Sequence, residues 1–105
     1  MRRAILRMSA DQLFSTLLGS ETRGELLILF HRNPGLIDTV EGVARRIGRT
    51  AAQIEGDVKA LVELGVLVQK MIGGVIVIRL DRQKDKQVLE SVATHIRSVS
   101  VGGEK

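Results

Sequence analysis

Apolar positions along this chain change their period several times, and each change marks an element. Leu13, Phe14, Leu17 and Leu18 recur at helical spacing behind Ser9-Ala10-Asp11-Gln12, an S-x-x-Q run with the form of a capping box. Met8 before that cap and Leu13 after it are placed as a hydrophobic staple, and Gly19 stops the helix. A second helix is predicted from Ser20-Glu21 through the run Leu26 to Phe30, which is apolar enough to be buried on most sides. Asn33-Pro34-Gly35 ends it, because Pro34 removes a donor and restricts its neighbour.

Leu36-Ile37 reads as a short strand. Asp38, with Glu41 three residues on, reads as the cap of a third helix whose apolar positions are Val40, Val43, Ala44 and Ile47. Gly48-Arg49-Thr50 is a tight turn: Gly48 suits a left-handed helix end, and Thr50 caps the helix that follows. In that helix Ile54, Val58, Leu61 and Gly65 share one narrow arc and face inward. The period then drops to two. VLVQKMI and VIVIRL flank Gly73-Gly74, a two-residue turn that tolerates positive φ at both positions, so a hairpin is predicted. Asp81 opens a last helix striped by Val88, Leu89, Val92, Ala93, Ile96 and Val99, and Gly102-Gly103-Glu104-Lys105 reads as a frayed tail.

This order predicts a mainly α chain with a small antiparallel hairpin (α+β): a three-helix core, a hairpin wing and terminal helices. One domain is expected over residues 1–105, with an N-terminal arm and helix in 1–18, the core in 20–80, a C-terminal helix in 81–99 and a tail in 100–105. At 44% apolar residues with two Phe and no Trp or Tyr, the core must be aliphatic. The formal charge of +4 is a mild pointer toward polyanions and also an ordinary solubility charge. Its distribution says more, because the cations gather at Arg2, Arg3 and Arg7 and again at Arg45, Arg46 and Arg49.

Composition also excludes chemistry. Without cysteine there is no disulfide, thiolate metal site or cysteine nucleophile. His31 and His95 stand far apart, and no carboxylate pair, nucleophile–base set or phosphate-cradling glycine loop accompanies them. Neither an enzyme, a cofactor nor a metal is expected. Arg7, Asp11 and Gln12 interrupt what would have to be the apolar core of an export signal. The apolar runs also fall short of the ~20 residues of a membrane span, so a soluble cytoplasmic protein is expected.

SETRGELLILF at Ser20 to Phe30, TVEGVARRIGRT at Thr39 to Thr50 and QIEGDVKALVELGVL leading into the hairpin together resemble the winged helix-turn-helix superfamily. The likeness is to ArsR-like and other small prokaryotic transcriptional regulators, and it runs from about Leu13 to the last helix. Val43-Ala44 stands at the family's buried Leu-Ala. Val58-Lys59-Ala60-Leu61-Val62-Glu63-Leu64-Gly65-Val66 matches its pattern before the wing, and VIVIRL stands at the returning wing strand.

The resemblance implies that the helix from Thr50 enters a DNA major groove. It assigns phosphate contacts to Thr50 and Lys59, base contacts to Ala52, Gln53, Gly56 and Asp57, and wing contacts to Lys70 and Arg79. It also implies dimerisation through the terminal helices. This sequence departs from the pattern in three places. Ala52 and Gly56 stand where relatives commonly carry Ser and Arg, Arg49 replaces an apolar residue, and where DNA-binding wings often carry Arg or Lys at the tip this one is the apolar hairpin Lys70-Met71-Ile72-Gly73-Gly74-Val75-Ile76.

The residues themselves fill in the rest. Arg45, Arg46 and Arg49 are placed to clamp phosphates, a sequence-blind contact. The Gln53 amide suits adenine. Glu55 and Asp57 would be repelled by phosphates, although Glu55 and Lys59 are spaced for an i,i+4 pair. Ala52, Gly56 and Ala60 form a small-residue line that also suits close approach of another helix. The expected function is a dimeric regulator binding double-stranded DNA through Arg45, Arg46, Arg49, Thr50, Gln53, Lys59 and Lys70. The alternative is a protein–protein module that uses the apolar wing.

Overall fold

The computed structural model describes residues 10–103. The Ser9 cap, the Met8 staple and the first arginine group therefore lie outside the described residues, as do Glu104 and Lys105. Five helices and three strands follow in the order α1 (Ala10–Leu17), α2 (Glu21–Arg32), β1 (Ile37–Asp38), α3 (Val40–Arg46), α4 (Ala51–Leu64), β2 (Leu67–Ile72), β3 (Val75–Leu80) and α5 (Arg82–Gly103).

Local chemistry sets most of these boundaries. Ser20 caps α2 by accepting from the Arg23 N–H, and the Asn33 N–H closes its far end on the Leu29 carbonyl. Within α2 only Leu26, Leu27 and Phe30 are buried, while Ile28 is 54% exposed, so the helix is buried on one side rather than on most. The sheet is antiparallel with strand order β1-β3-β2. Gly73 and Gly74, at φ 57° and 79°, make the hairpin turn with both residues in the left-handed region. Asp81 caps α5, its carboxylate accepting from the Lys84 N–H at 3.1 Å. That helix continues through Gly102 and Gly103 instead of fraying there, since 22 residues of helix end only at Gly103.

The core gathers Phe30 and Leu26 from α2, Val43 from α3, Ile54 and Leu61 from α4, and Leu67 and Ile78 from the hairpin base. Each side chain of this size contributes about 1.5–3 kcal/mol on full burial. Val88 and Val92 anchor α5 to this cluster, and α5 packs on α1. Leu89, in the same stripe, stays 38% exposed. A side-chain hydrogen bond adds to this packing: His31 Nε2 lies 2.9 Å from both carboxylate oxygens of Asp85, joining the end of α2 to the start of α5. The result is a winged helix-turn-helix fold with α2, α3 and α4 as its three-helix centre.

Candidate nucleic-acid interface

The α3–turn–α4 unit is built by a chain of caps. Thr39, not Asp38, caps α3, its hydroxyl accepting from the Gly42 N–H at 3.0 Å. Asp38 instead accepts from the Thr39 N–H at 2.7 Å and from Arg46 Nε at 3.2 Å. The Thr39 N–H first, with Arg46 in support, holds the Asp38 carboxyl below its ordinary range. Gly42 has no side chain because the Asp38 carboxylate occupies the place where a β-carbon would sit. Gly48, at φ 71°, reverses the chain as expected. Thr50 then opens α4 with a reciprocal capping box: its Oγ1 accepts from the Gln53 N–H at 3.3 Å, and Gln53 Oε1 accepts from the Thr50 N–H at 2.9 Å.

Helix α4 lies at the outside of the unit. Ile54, Val58, Leu61 and Leu64 point into the core. Asp57 also turns inward, because its Oδ1 accepts from Arg23 Nε at 3.1 Å and from the Ser20 hydroxyl at 2.7 Å. It is therefore not among the side chains that the helix presents outward. Arg23 is fixed in turn by a hydrogen bond to the Thr16 carbonyl. Ala52, Gln53, Glu55, Gly56 and Lys59 remain exposed, and Ala60 is half-buried. A β-carbon at Gly56 would meet nothing within 4 Å, and its φ is not positive. Gly56→Ala is therefore expected to stabilise the domain by about 0.5–1 kcal/mol through helix propensity alone. Denaturant titration reads this, and a loss of stability would mean that the site is covered.

The cations divide into two groups. Arg49 is engaged: its guanidinium donates to both Glu25 oxygens, at 2.7 and 3.1 Å, linking the turn to α2. Those hydrogen bonds hold the Glu25 carboxyl below its usual range and raise Arg49. Arg46 is half-engaged through Asp38, with 51% of its side chain still exposed. Arg79 donates to the neighbouring Leu80 carbonyl. Arg45, Lys59 and Lys70 are exposed and form no ion pair among the described residues, so Glu55 and Lys59 do not make their i,i+4 bridge.

The hairpin adds two unlike faces. Register pairs Leu67 with Leu80, Gln69 with Ile78 and Met71 with Ile76, and directly paired residues share a face. That face covers the core at its base and overhangs α4 toward the tip. Lys70 and Arg79 lie on the opposite face with Ile72, Val75 and Val77. Met71, Ile72, Val75 and Ile76 are 66%, 55%, 48% and 45% exposed, so the tip is an uncovered apolar patch. Between the hairpin, α4 and the start of α3 runs a groove of about 970 Å³. Its charged residues are Glu41, Glu55, Glu63 and Lys59, a net charge of −2.

Of the seven residues singled out from sequence, the structure brings Arg49, Thr50 and Gln53 together at the start of α4, all bonded internally. Arg45 and Arg46 flank them, Lys59 lies along the same helix, and Lys70 is on the hairpin. Sequence reasoning missed Glu25 and Arg23, and it missed that Glu41, Glu55 and Glu63 border one groove. No local signal marks Glu25 or Arg23, whose partners lie 24 and 34 positions away. Among the described residues no helix is long and apolar enough to cross a membrane.

Solved structures share this fold, among them the following three. The chain superposes on a possible transcriptional regulator for arsenical resistance with a TM-score of 0.62 at 21% identity, over 83% of this chain and 82% of that one. A possible transcriptional regulator from Methanosarcina mazei Go1 gives 0.60 at 13% identity, over 90% and 85% of the two chains. The ST1889 protein of Sulfolobus tokodaii gives 0.64 at 13% identity, over 91% and 99%. No family model and no curated protein matches the sequence. At these identities the likeness is one of fold.

Proposed function

We propose that the chain is a cytoplasmic, ArsR-like winged-helix transcriptional regulator that docks on double-stranded DNA, positioned by phosphates more than by bases. One observation carries this reading: Ala52, Gln53, Gly56 and Lys59 on the outer side of α4 are all exposed. Arg45, Lys59 and Lys70 are the direct phosphate contacts, with Arg46 joining them when it leaves Asp38. Arg49, Thr50 and Gln53 act mainly by fixing the start of α4. Two of the proteins sharing the fold carry the name of possible transcriptional regulators, which supports the reading. A homodimer through α1 and α5 goes with it, supported by Leu18 and Leu89, which are 51% and 38% exposed.

The test is duplex binding across a salt series. Wild type is expected to bind random duplex DNA at low salt, with affinity falling as salt rises. Replacing Arg45, Lys59 and Lys70 together by alanine should make the slope of log K against log salt shallower by roughly 2 to 3, near 0.9 per phosphate contact. An unchanged slope, or no binding at low salt, would defeat the proposal. A second reading, a protein-docking module, is favoured by the apolar hairpin tip, where Met71, Ile72, Val75 and Ile76 are all exposed.

A further inference from the structure

We infer that the groove between α4 and the hairpin is a docking site for an extended, basic and apolar segment of another protein chain. Three independent features select this occupant. The first is shape: Val58 and Val62 of α4 line one side and Ile76 of the hairpin the other, with Val75 at its edge, leaving an open apolar slot. Side chains inserted there would leave water without displacing any part of the domain.

Charge is the second. Glu41, Glu55 and Glu63 border the slot against a single lysine, Lys59, so cations on the occupant are favoured and phosphates or acidic peptides are repelled. This also separates the site from the DNA contacts proposed above, which lie at Arg45 and on the other face of the hairpin at Lys70. The two sites meet at Ala52 and Lys59, which line the groove and also belong to the outer side of α4.

The third feature is an unfinished sheet. Strand β1 pairs with β3 only through Ile37–Arg79 and Asp38–Ile78. Thr39 then turns the chain away into α3, and among the described residues no strand pairs with the edge of β3 at Val75–Val77 on that side. Val75 and Ile76 line the groove opposite Thr39 and Val40. An incoming strand continuing the line of β1 would pair its backbone with that edge, as in other sheets that accept an added strand. Alternate side chains would then enter the slot, and the others would reach the glutamates.

The inference stands apart from the DNA reading, and its test keeps the two distinguishable. The full chain is titrated with three labelled peptides and followed by fluorescence anisotropy: alternating lysine and valine, alternating glutamate and valine, and the lysine–valine peptide N-methylated at every second amide. The lysine–valine peptide is expected to bind and the glutamate–valine peptide not to. N-methylation and the exposed triple change Glu41→Gln/Glu55→Gln/Glu63→Gln should each weaken binding about tenfold. The same triple variant should bind random duplex DNA as well as wild type or better, because it loses only charges that repel phosphates. Equal binding of the acidic and basic peptides, or affinity unmoved by N-methylation or by the triple change, would overturn the proposal. So would a wild-type dimer that dissociates in the triple variant, since the groove would then belong to a second copy.

Discussion

Phe30→Ala is expected to cost about 3–5 kcal/mol, the range for truncating a fully buried aromatic. Phe30 is 0% exposed and the largest fully buried side chain among the described residues. It comes from α2, which packs on α4. A domain of this size has about 5–15 kcal/mol in total, so the variant should unfold at far lower denaturant and populate unfolded chains near body temperature. Ile28→Ala, two residues away and 54% exposed, is the control and should stay within about 0.5 kcal/mol of wild type. Urea titrations of both variants decide it. If Phe30→Ala matched Ile28→Ala, α2 would not be seated against α4, and the outward placement of α4 would lose its support.

The second large effect is a coupling. Gly42→Ala pushes a methyl group into the Asp38 carboxylate, which must leave the Thr39 N–H and Arg46. The expected cost is about 1–3 kcal/mol. In an Asp38→Ala background the obstruction is gone, so the same Gly42→Ala change should be neutral or mildly stabilising through helix propensity. The double-mutant cycle therefore predicts a non-additivity of at least about 1 kcal/mol. Equal costs in the two backgrounds would show that Gly42 and Asp38 do not meet. The cycle matters for function as well, since Asp38 sets how far Arg46 is withdrawn from the outer face.

The fold was legible wherever one residue type answers to one backbone requirement. Gly73-Gly74, Gly48 and the 54–58–61 arc announce a turn, a reversal and an inward face through local rules alone. The cap of α3 was read one residue early because Asp38 and Thr39 are both capping types and Glu41 has the right spacing from Asp38. Only geometry reveals that Asp38 is occupied by the Thr39 N–H and Arg46. The α2 run was read as buried on most sides because five consecutive apolar residues erase the helical period, hiding the exposure of Ile28.

The candidate interface was harder to read, for a different reason. Where a charged side chain sits can be seen in sequence, but whether it is free depends on partners far along the chain. Arg49 looked available until Glu25 met it, and Asp57 looked like an outward carboxylate until Arg23 and Ser20 drew it in. Glu41, Glu55 and Glu63 are unremarkable one by one. They form a rim only because α3, α4 and the hairpin converge.

The bond from Gln53 to its own helix start carries a last consequence. With Oε1 committed to the Thr50 N–H, the outward end of the amide is its NH2 group, which can only donate. Every base pair offers an acceptor in the major groove: purine N7, guanine O6 or thymine O4. On the proposed DNA reading, an amide that turns its NH2 outward tolerates all four letters, and a set of sequences selected on this protein should be near-random beneath residue 53.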